Sequence, residues 1–139
     1  MADQLPTKIK LTVVTRERKI VEVQVDEVVL PATDGEIGVL PGHTPLLTTL
    51  KIGLMRYRTG ATVERLVLTW GFAEVLPDRV IVMAETAKLP SEIDPTLAEA
   101  ERLEAEKELA YLSSRDPEFA VVEARLEESI AMIDLHRGH

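Results

Sequence analysis

Residues able to carry proton, nucleophile or metal chemistry are few in this chain and poorly grouped. There is no cysteine among the 139 residues, which excludes disulfides, thiolate metal sites and cysteine nucleophiles. The three histidines are His43, His136 and His139. The last two stand with Asp134 at the C-terminus, the one grouping whose types suit a metal, but chain ends fray and no metal is expected there. Glu99, Glu101, Glu104 and Glu108 could suggest paired carboxylates for acid/base work; with Arg102 and Lys107 among them they read as the solvated face of a helix. No H-E-x-x-H, G-x-S-x-G, P-loop or G-x-G-x-x-G motif occurs, so no catalytic residue and no cofactor is assigned.

The informative stretch runs from Leu30 to Leu47. It holds three glycines (Gly35, Gly38, Gly42) and three prolines (Pro31, Pro41, Pro45), so the backbone path is tightly prescribed. Loops at Asp34-Gly35 and Pro41-Gly42-His43 are expected to lie together at one end of a sheet, where a rigid scaffold would present a binding surface. Ordinary hairpin punctuation accounts for the same residues, and physics alone leaves the two readings open.

The elements that would carry these loops change character along the chain. Apolar residues alternate at Ile9, Leu11 and Val13 and at Val21, Val23 and Val25, the period of a half-buried strand. Further runs at 28–30, 37–40, 54–58, 63–69, 72–76 and 80–84 are separated by Asp34-Gly35, Pro41-Gly42, Thr59-Gly60 and Pro77-Asp78. Many short strands at this spacing predict an antiparallel sandwich or barrel. After Lys88 the pattern becomes helical. Leu89-Pro90-Ser91 reads as a hinge, Ser91 or Asp94 as a cap before Pro95, and 96–112 as a helix with Leu97, Ala100, Leu103 and Leu109 on its apolar stripe. Asp116-Pro117-Glu118 opens a second helix in the same way, with Phe119, Val122, Leu126, Ile130 and Ile133 at three- and four-residue steps. The two form an antiparallel hairpin whose stripes face each other or the sandwich.

Composition agrees with two regions, 1–88 and 89–139. Hydrophobic residues at 45% and charged residues at 29% describe an ordinary globular chain. The net charge of −8 is uneven: residues 1–88 carry 11 Lys/Arg and 11 Asp/Glu, whereas residues 89–139 carry 5 against 13. Neither half has the basic surplus of a nucleic-acid binder, and 4% aromatics argues against base stacking. The longest stretch without a charged side chain, 37–50, is broken by glycine and proline and too short to span a bilayer. MADQLPTKIK lacks the apolar region of a secretory signal and the Arg-rich character of a transit peptide, and Met1 reads as a natural start.

The run Leu30-Pro-x-x-x-Gly35-Glu36-Ile37-Gly38-Val39-Leu40-Pro41-Gly42-His43-x-Pro45-Leu46-Leu47-Thr48 resembles the signature of the epsilon subunits of F-type ATP synthases. The resemblance continues through Gly71-Phe72-Ala73-Glu74-Val75 and Val82-Met83-Ala84-Glu85-Thr86-Ala87. It implies a β-sandwich of about ten short antiparallel strands followed by a two-helix hairpin. It also implies a noncatalytic central-stalk subunit bound to gamma and seated on the c-ring, coupling ion-driven rotation to ATP synthesis. By the same resemblance Gly35, Glu36, Ile37 and Gly38 face the ring, with Glu36 making a charge contact, and Pro41, Gly42 and His43 lie in the same rotor-facing region. The hairpin would act as a regulator reaching the catalytic alpha and beta subunits, and the location would be the cytoplasmic face of a bacterial inner membrane or the stromal face of a thylakoid. Nucleotide-binding members carry Ile/Leu-Asp-x-x-Arg-Ala at the start of the first helix. Here Ile93, Asp94 and Ala98 match, but Leu97 stands where the motif has arginine, which removes a multidentate phosphate donor. A nucleotide-sensing domain is the alternative function. Ile133-Asp134-Leu135-His136-Arg137 fits part of the pattern but lies at the wrong end of the hairpin.

Overall fold

A computed structural model describes residues 5–138. Eight strands, β1 (Ile9–Val14), β2 (Lys19–Val25), β3 (Glu27–Ala32), β4 (Gly35–Val39), β5 (Leu46–Leu50), β6 (Gly53–Thr59), β7 (Thr62–Leu76) and β8 (Arg79–Lys88), precede two helices, α1 (Pro95–Ala110) and α2 (Pro117–Arg137). The strand order is β2-β1-β8-β7-β5-β3-β4, with β6 bridging β3 and β7. All pairs are antiparallel except β1 with β8, which run parallel from Lys10↔Arg79 to Val14↔Met83.

The sandwich followed by a two-helix hairpin is as expected, with eight strands among the described residues where about ten were expected. Two of the expected runs, 63–69 and 72–76, are one continuous strand, β7, which pairs with β6 through its first half and with β5 through its second. Along β7 the residues turned to the sandwich core change parity, from Leu66 and Leu68 to Ala73 and Val75. Gly71 sits at that crossing, where a Cβ would meet the Met83 carbonyl oxygen at 2.1 Å. Only glycine lets β7 and β8 approach this closely and continue from one layer into the other. The core between the layers is formed by Ile9, Leu11, Val13, Val25, Val28, Leu30, Val39, Met55, Leu66, Leu68, Val75, Val80 and Val82, all without significant exposure.

After β8 the chain makes a short 3₁₀ turn at Pro90–Glu92 and enters α1, where the Asp94 carboxylate accepts from the amides of Thr96 (2.9 Å) and Leu97 (3.3 Å). Asp94 is therefore the cap, with Pro95 behind it, while Ser91 lies in the 3₁₀ turn. α2 starts differently from expectation: the Asp116 carboxylate accepts from the Ser113 amide at 2.8 Å, closing the interhelical turn instead of capping the helix. The apolar stripes also differ. On α1 the buried residues are Ala98 and Ala105, while Leu97 and Leu103 are 57% and 47% exposed. Small side chains let α1 lie close on α2, and the leucines flank the contact. On α2 Val122 and Ile133 are buried as expected, but Ile130 is exposed and Ser129, Ala131, Met132 and Leu135 are buried. A second apolar cluster, Val67 with Ala98, Ala131, Met132, Ile133 and Leu135, backed by Leu54 and Ile93, seats the end of α2 on β6 and β7.

Candidate functional site

The residues expected at a partner contact are placed along β4 and the loop after it. Gly35 opens β4 with φ +136° after the Asp34 turn, and Glu36 points outward opposite Pro31. The Glu36 carboxylate accepts from Arg56 Nη1 at 3.1 Å, and Arg56 pairs in register with Arg65, whose buried Nε has no partner. Glu36 is thus held by one guanidinium, that of Arg56. Ile37 packs on the core, and Gly38 is open except for Glu27 Oε2 at 4.0 Å from a built Cβ.

Pro41, Gly42 and His43 lie at the other end of β4. The Gly42 amide donates to Pro77 O (2.8 Å), next to the β7–β8 turn, while the Thr33 amide at the β3–β4 turn donates to Thr49 O (3.0 Å). Gly42 adopts φ +87°, and the His43 ring Nδ1 is 2.6 Å from Thr44 O. The expectation that both loops share one end is therefore corrected: a five-residue strand, roughly 16 Å long, stands between them. Turns at both ends of one strand cannot be neighbours.

Sequence reasoning missed an exposed apolar surface on the sandwich. Trp70 (49% exposed) and Phe72 (45%) project from the same side of β7. Phe72 is in register with Met83 on one side and Thr49 on the other, Met83 with Val14, and Leu47 (68% exposed) lies one diagonal step away on β5. Two of the five aromatic residues thus lie exposed on one sheet face, in a depression that Val14, Met83 and Ala84 help to line. The signal was available in the alternation of Trp70, Phe72 and Glu74 with Ala73 and Val75, and exposed apolar patches of this kind mark interaction sites.

Residues in the nucleotide-motif positions have structural duties. Ile93 backs the second apolar cluster, Asp94 caps α1, and Ala98 is buried in that cluster. Leu97 faces outward, and the nearby Arg102 guanidinium is held by Glu99 and, at 2.5 Å, by Glu106. That pairing lowers the Glu99 carboxyl from its ordinary value. His136 lies in the last turn of α2; His139 lies outside the described residues, as do positions 1–4 of the N-terminal reading. Among the described residues no group of three or more His, Cys, Asp or Glu side chains could hold a metal, and no helix is long and apolar enough to cross a membrane.

Residues 8–90 match the family described as ATP synthase, Delta/Epsilon chain, beta-sandwich domain. The chain is 44% identical to the ATP synthase epsilon chain of Syntrophobacter fumaroxidans over 91% of its own length and 93% of that protein. The chain belongs to the ATP synthase epsilon family. ATP synthase epsilon chain 2 of Syntrophotalea carbinolica is 41% identical, over 92% and 93% of the two chains. Among solved structures, a chain of the Euglena gracilis mitochondrial ATP synthase (OSCP/F1/c-ring) superposes with a TM-score of 0.83 at 24% identity, covering 100% of this chain and 86% of that one. That likeness shows the fold, sandwich and hairpin together.

Proposed function

We propose that this epsilon-family chain is the noncatalytic central-stalk subunit of a bacterial F-type ATP synthase, peripheral on the cytoplasmic face of the inner membrane. In this role it binds gamma and the c-ring and couples ion-driven rotation to ATP synthesis. The observation that carries the reading is that sandwich and hairpin both align with bacterial ATP synthase epsilon chains over nine-tenths of either length. Residues 1–88 serve as the coupling body. Torque transmission needs a stiff block with a large contact surface, and a close-packed sandwich core provides the stiffness. The Trp70–Phe72 face supplies apolar area for gamma, and the β4 outer face with Gly35, Glu36, Ile37 and Gly38 meets the ring, Glu36 through charge. Pro41, Gly42 and His43 make their contact from the opposite end of β4.

Residues 89–139 serve as the regulatory part, reaching the catalytic alpha and beta subunits when undocked. Its acidity gives it little electrostatic gain on an acidic surface, so inhibition is weak or depends on apolar contacts. Nucleotide sensing is the less favoured reading, since Leu97 offers no phosphate donor.

In membrane vesicles carrying the reconstituted synthase, Glu36→Lys is expected to lower ATP-driven ion pumping relative to hydrolysis, because it reverses the charge offered to the ring and sets a second cation beside Arg56. Full coupling refutes the Glu36 contact, and failure of the chain to co-purify with gamma refutes the stalk assignment. Deleting 89–139 should change hydrolysis little; severalfold activation would contradict weak inhibition. ATP titrated into the isolated chain should give no saturable heat.

A further inference from the structure

The hairpin meets the sandwich through the apolar seat of α2 and through a row of charges at the hinge. The β1–β2 turn is ordered by Thr15, whose amide donates to Arg18 O (2.9 Å) and whose hydroxyl accepts from the amides of Glu17 and Arg18 (3.3 Å each). The turn presents Arg18 to the 3₁₀ segment, where Arg18 Nη2 lies 2.5 Å from Glu92 Oε2, across 74 residues of sequence. The other Glu92 oxygen accepts from the Leu89 amide at 2.9 Å, so both oxygens are fixed. That backbone bond first, and Arg18 second, lower the Glu92 carboxyl from its ordinary value, with Lys88 adding to the same field. Lys88 in turn lies 3.9 Å from Glu128 on α2. Lys88 pairs in register with Val67, which forms part of the apolar seat beneath α2.

The row Arg18, Glu92, Lys88, Glu128 thus runs from the first hairpin turn of the sandwich, over the hinge, to the middle of α2. Glu17 and Glu85 line the same cleft. Among the described residues, the two ion pairs that join residues 1–88 to residues 89–139 are those of Arg18 and Lys88. The charge imbalance gives these pairs their weight. A neutral sandwich offers no general attraction to a hairpin carrying −8, so the polar part of docking rests on two cations placed at the hinge.

We propose that Arg18 and Lys88 form an electrostatic strap that holds the hairpin in its docked position, so that the docked fraction falls when either charge is removed or screened. The proposal rests on the reading of the hairpin as a movable regulatory part. It adds to that reading the residues that set the docked state, and a dependence on ionic strength that the apolar seat alone would not produce, since salt screens exposed ion pairs and leaves apolar burial intact.

The test is hydrogen exchange of the full-length protein at low and at about 0.5 M salt, followed on peptides from the second half of α2 and on peptides from β1, β7 and β8. At low salt, Arg18→Glu and Lys88→Glu should each speed exchange in α2 by roughly three- to fivefold, as for loss of an exposed ion pair with favourable geometry. Arg18→Lys, which keeps the charge, should retain most of the protection. High salt should bring wild type and variants together, weakening the wild type's two pairs and screening the repulsion that each reversal introduces. Unchanged protection of α2 in both charge reversals overturns the strap, as does a salt response equal in wild type and variants. Exchange that rises equally in β1 and β8 also overturns it, because the residues would then be stabilising the sandwich itself. Binding to purified gamma separates the two ideas: a wild-type chain that does not bind gamma refutes the stalk assignment, whereas intact binding with an insensitive α2 refutes the strap alone.

Discussion

Replacing Gly71 by alanine should be the most damaging single-methyl change in the sandwich. The new Cβ would lie 2.1 Å from the Met83 carbonyl oxygen, 2.8 Å from Ala84 Cα and 3.0 Å from the Met83 carbonyl carbon. These are backbone atoms of the neighbouring strand, so no side chain can rotate away. Ordinary contact begins at 3.4 Å, and β7 and β8 must part by more than 1 Å to reach it. A ladder bond stretched that far is lost. Overpacking costs about 1–3 kcal/mol, and two flanking backbone bonds cost about 1 kcal/mol each. The smaller entropy of the unfolded alanine chain offsets about 0.4–1 kcal/mol. The balance is a loss of roughly 2–4 kcal/mol, which lowers Tm by about 8–16 °C in a chain of this size. Thermal unfolding followed by far-ultraviolet circular dichroism gives the global shift, and the emission of Trp70, the single tryptophan and the adjacent residue, reports the local change. Gly38→Ala is the matched control, since its Cβ meets nothing closer than 4.0 Å. A Gly71→Ala Tm within about 3 °C of the wild type would refute the close-approach argument.

Three other outcomes follow from the same geometry. Trp70→Ser combined with Phe72→Ser should leave Tm nearly unchanged, because both side chains are about half exposed, yet weaken binding to gamma by tenfold or more in a pull-down or calorimetric titration; unaltered binding would remove this face from the interface. Asp94→Ala should cost about 1 kcal/mol by freeing the Thr96 and Leu97 amides, read as faster exchange at the start of α1 with the sandwich unaffected. In acid, Asp26 is lowered by the Gly60 amide first and Lys8 second, Glu22 by Lys19, and Glu92 by the Leu89 amide. Their folded values lie below the ordinary 3.8 for aspartate and 4.5 for glutamate, so their stabilisation is present above that range and lost as pH falls through the lowered values. Tm should hold near neutral pH and fall below about pH 4.5, less steeply in Asp26→Asn; a flat profile to about pH 3 would contradict this.

The fold was readable wherever local chemistry and tertiary packing agreed. Pro95 with a cap at Ser91 or Asp94 marked the start of α1, and the alternation at Ile9–Val13 marked β1, because cap and pleat act within a few residues. Reading failed where a distant neighbour decided. Gly71 looks like a break in a strand, yet β8 makes it the point that allows β7 to run on for 15 residues. The strand at Leu46–Leu50 was not recognised, since Leu-Leu-Thr-Thr-Leu does not alternate and pairing with β7 imposes its conformation. Leu97 and Leu103 have the right spacing for a buried stripe, but the residues that α1 buries are Ala98 and Ala105. In the candidate site, the run around Gly35–His43 was legible as a constrained segment. Its two turns were misplaced together because sequence proximity says nothing about the direction of the strand between them. Arg56 beside Glu36, and Arg18 beside Glu92, are pairings over 20 and 74 residues that only the folded chain creates.

The parallel pairing of β1 with β8 also fixes the order in which the molecule can be made. Residues 10–14 wait for residues 79–83, and until those arrive one side of β1 is an unpaired edge. A chain growing from its N-terminus therefore cannot close the sandwich until more than half of it has been synthesised. Non-local pairing of this kind slows folding and leaves apolar strands open to misassociation. By the time β8 seals that edge, the next residues to emerge are the hinge and the acidic helices. The last part of the chain thus arrives at a finished surface, and can be added, held or let go without reopening the core.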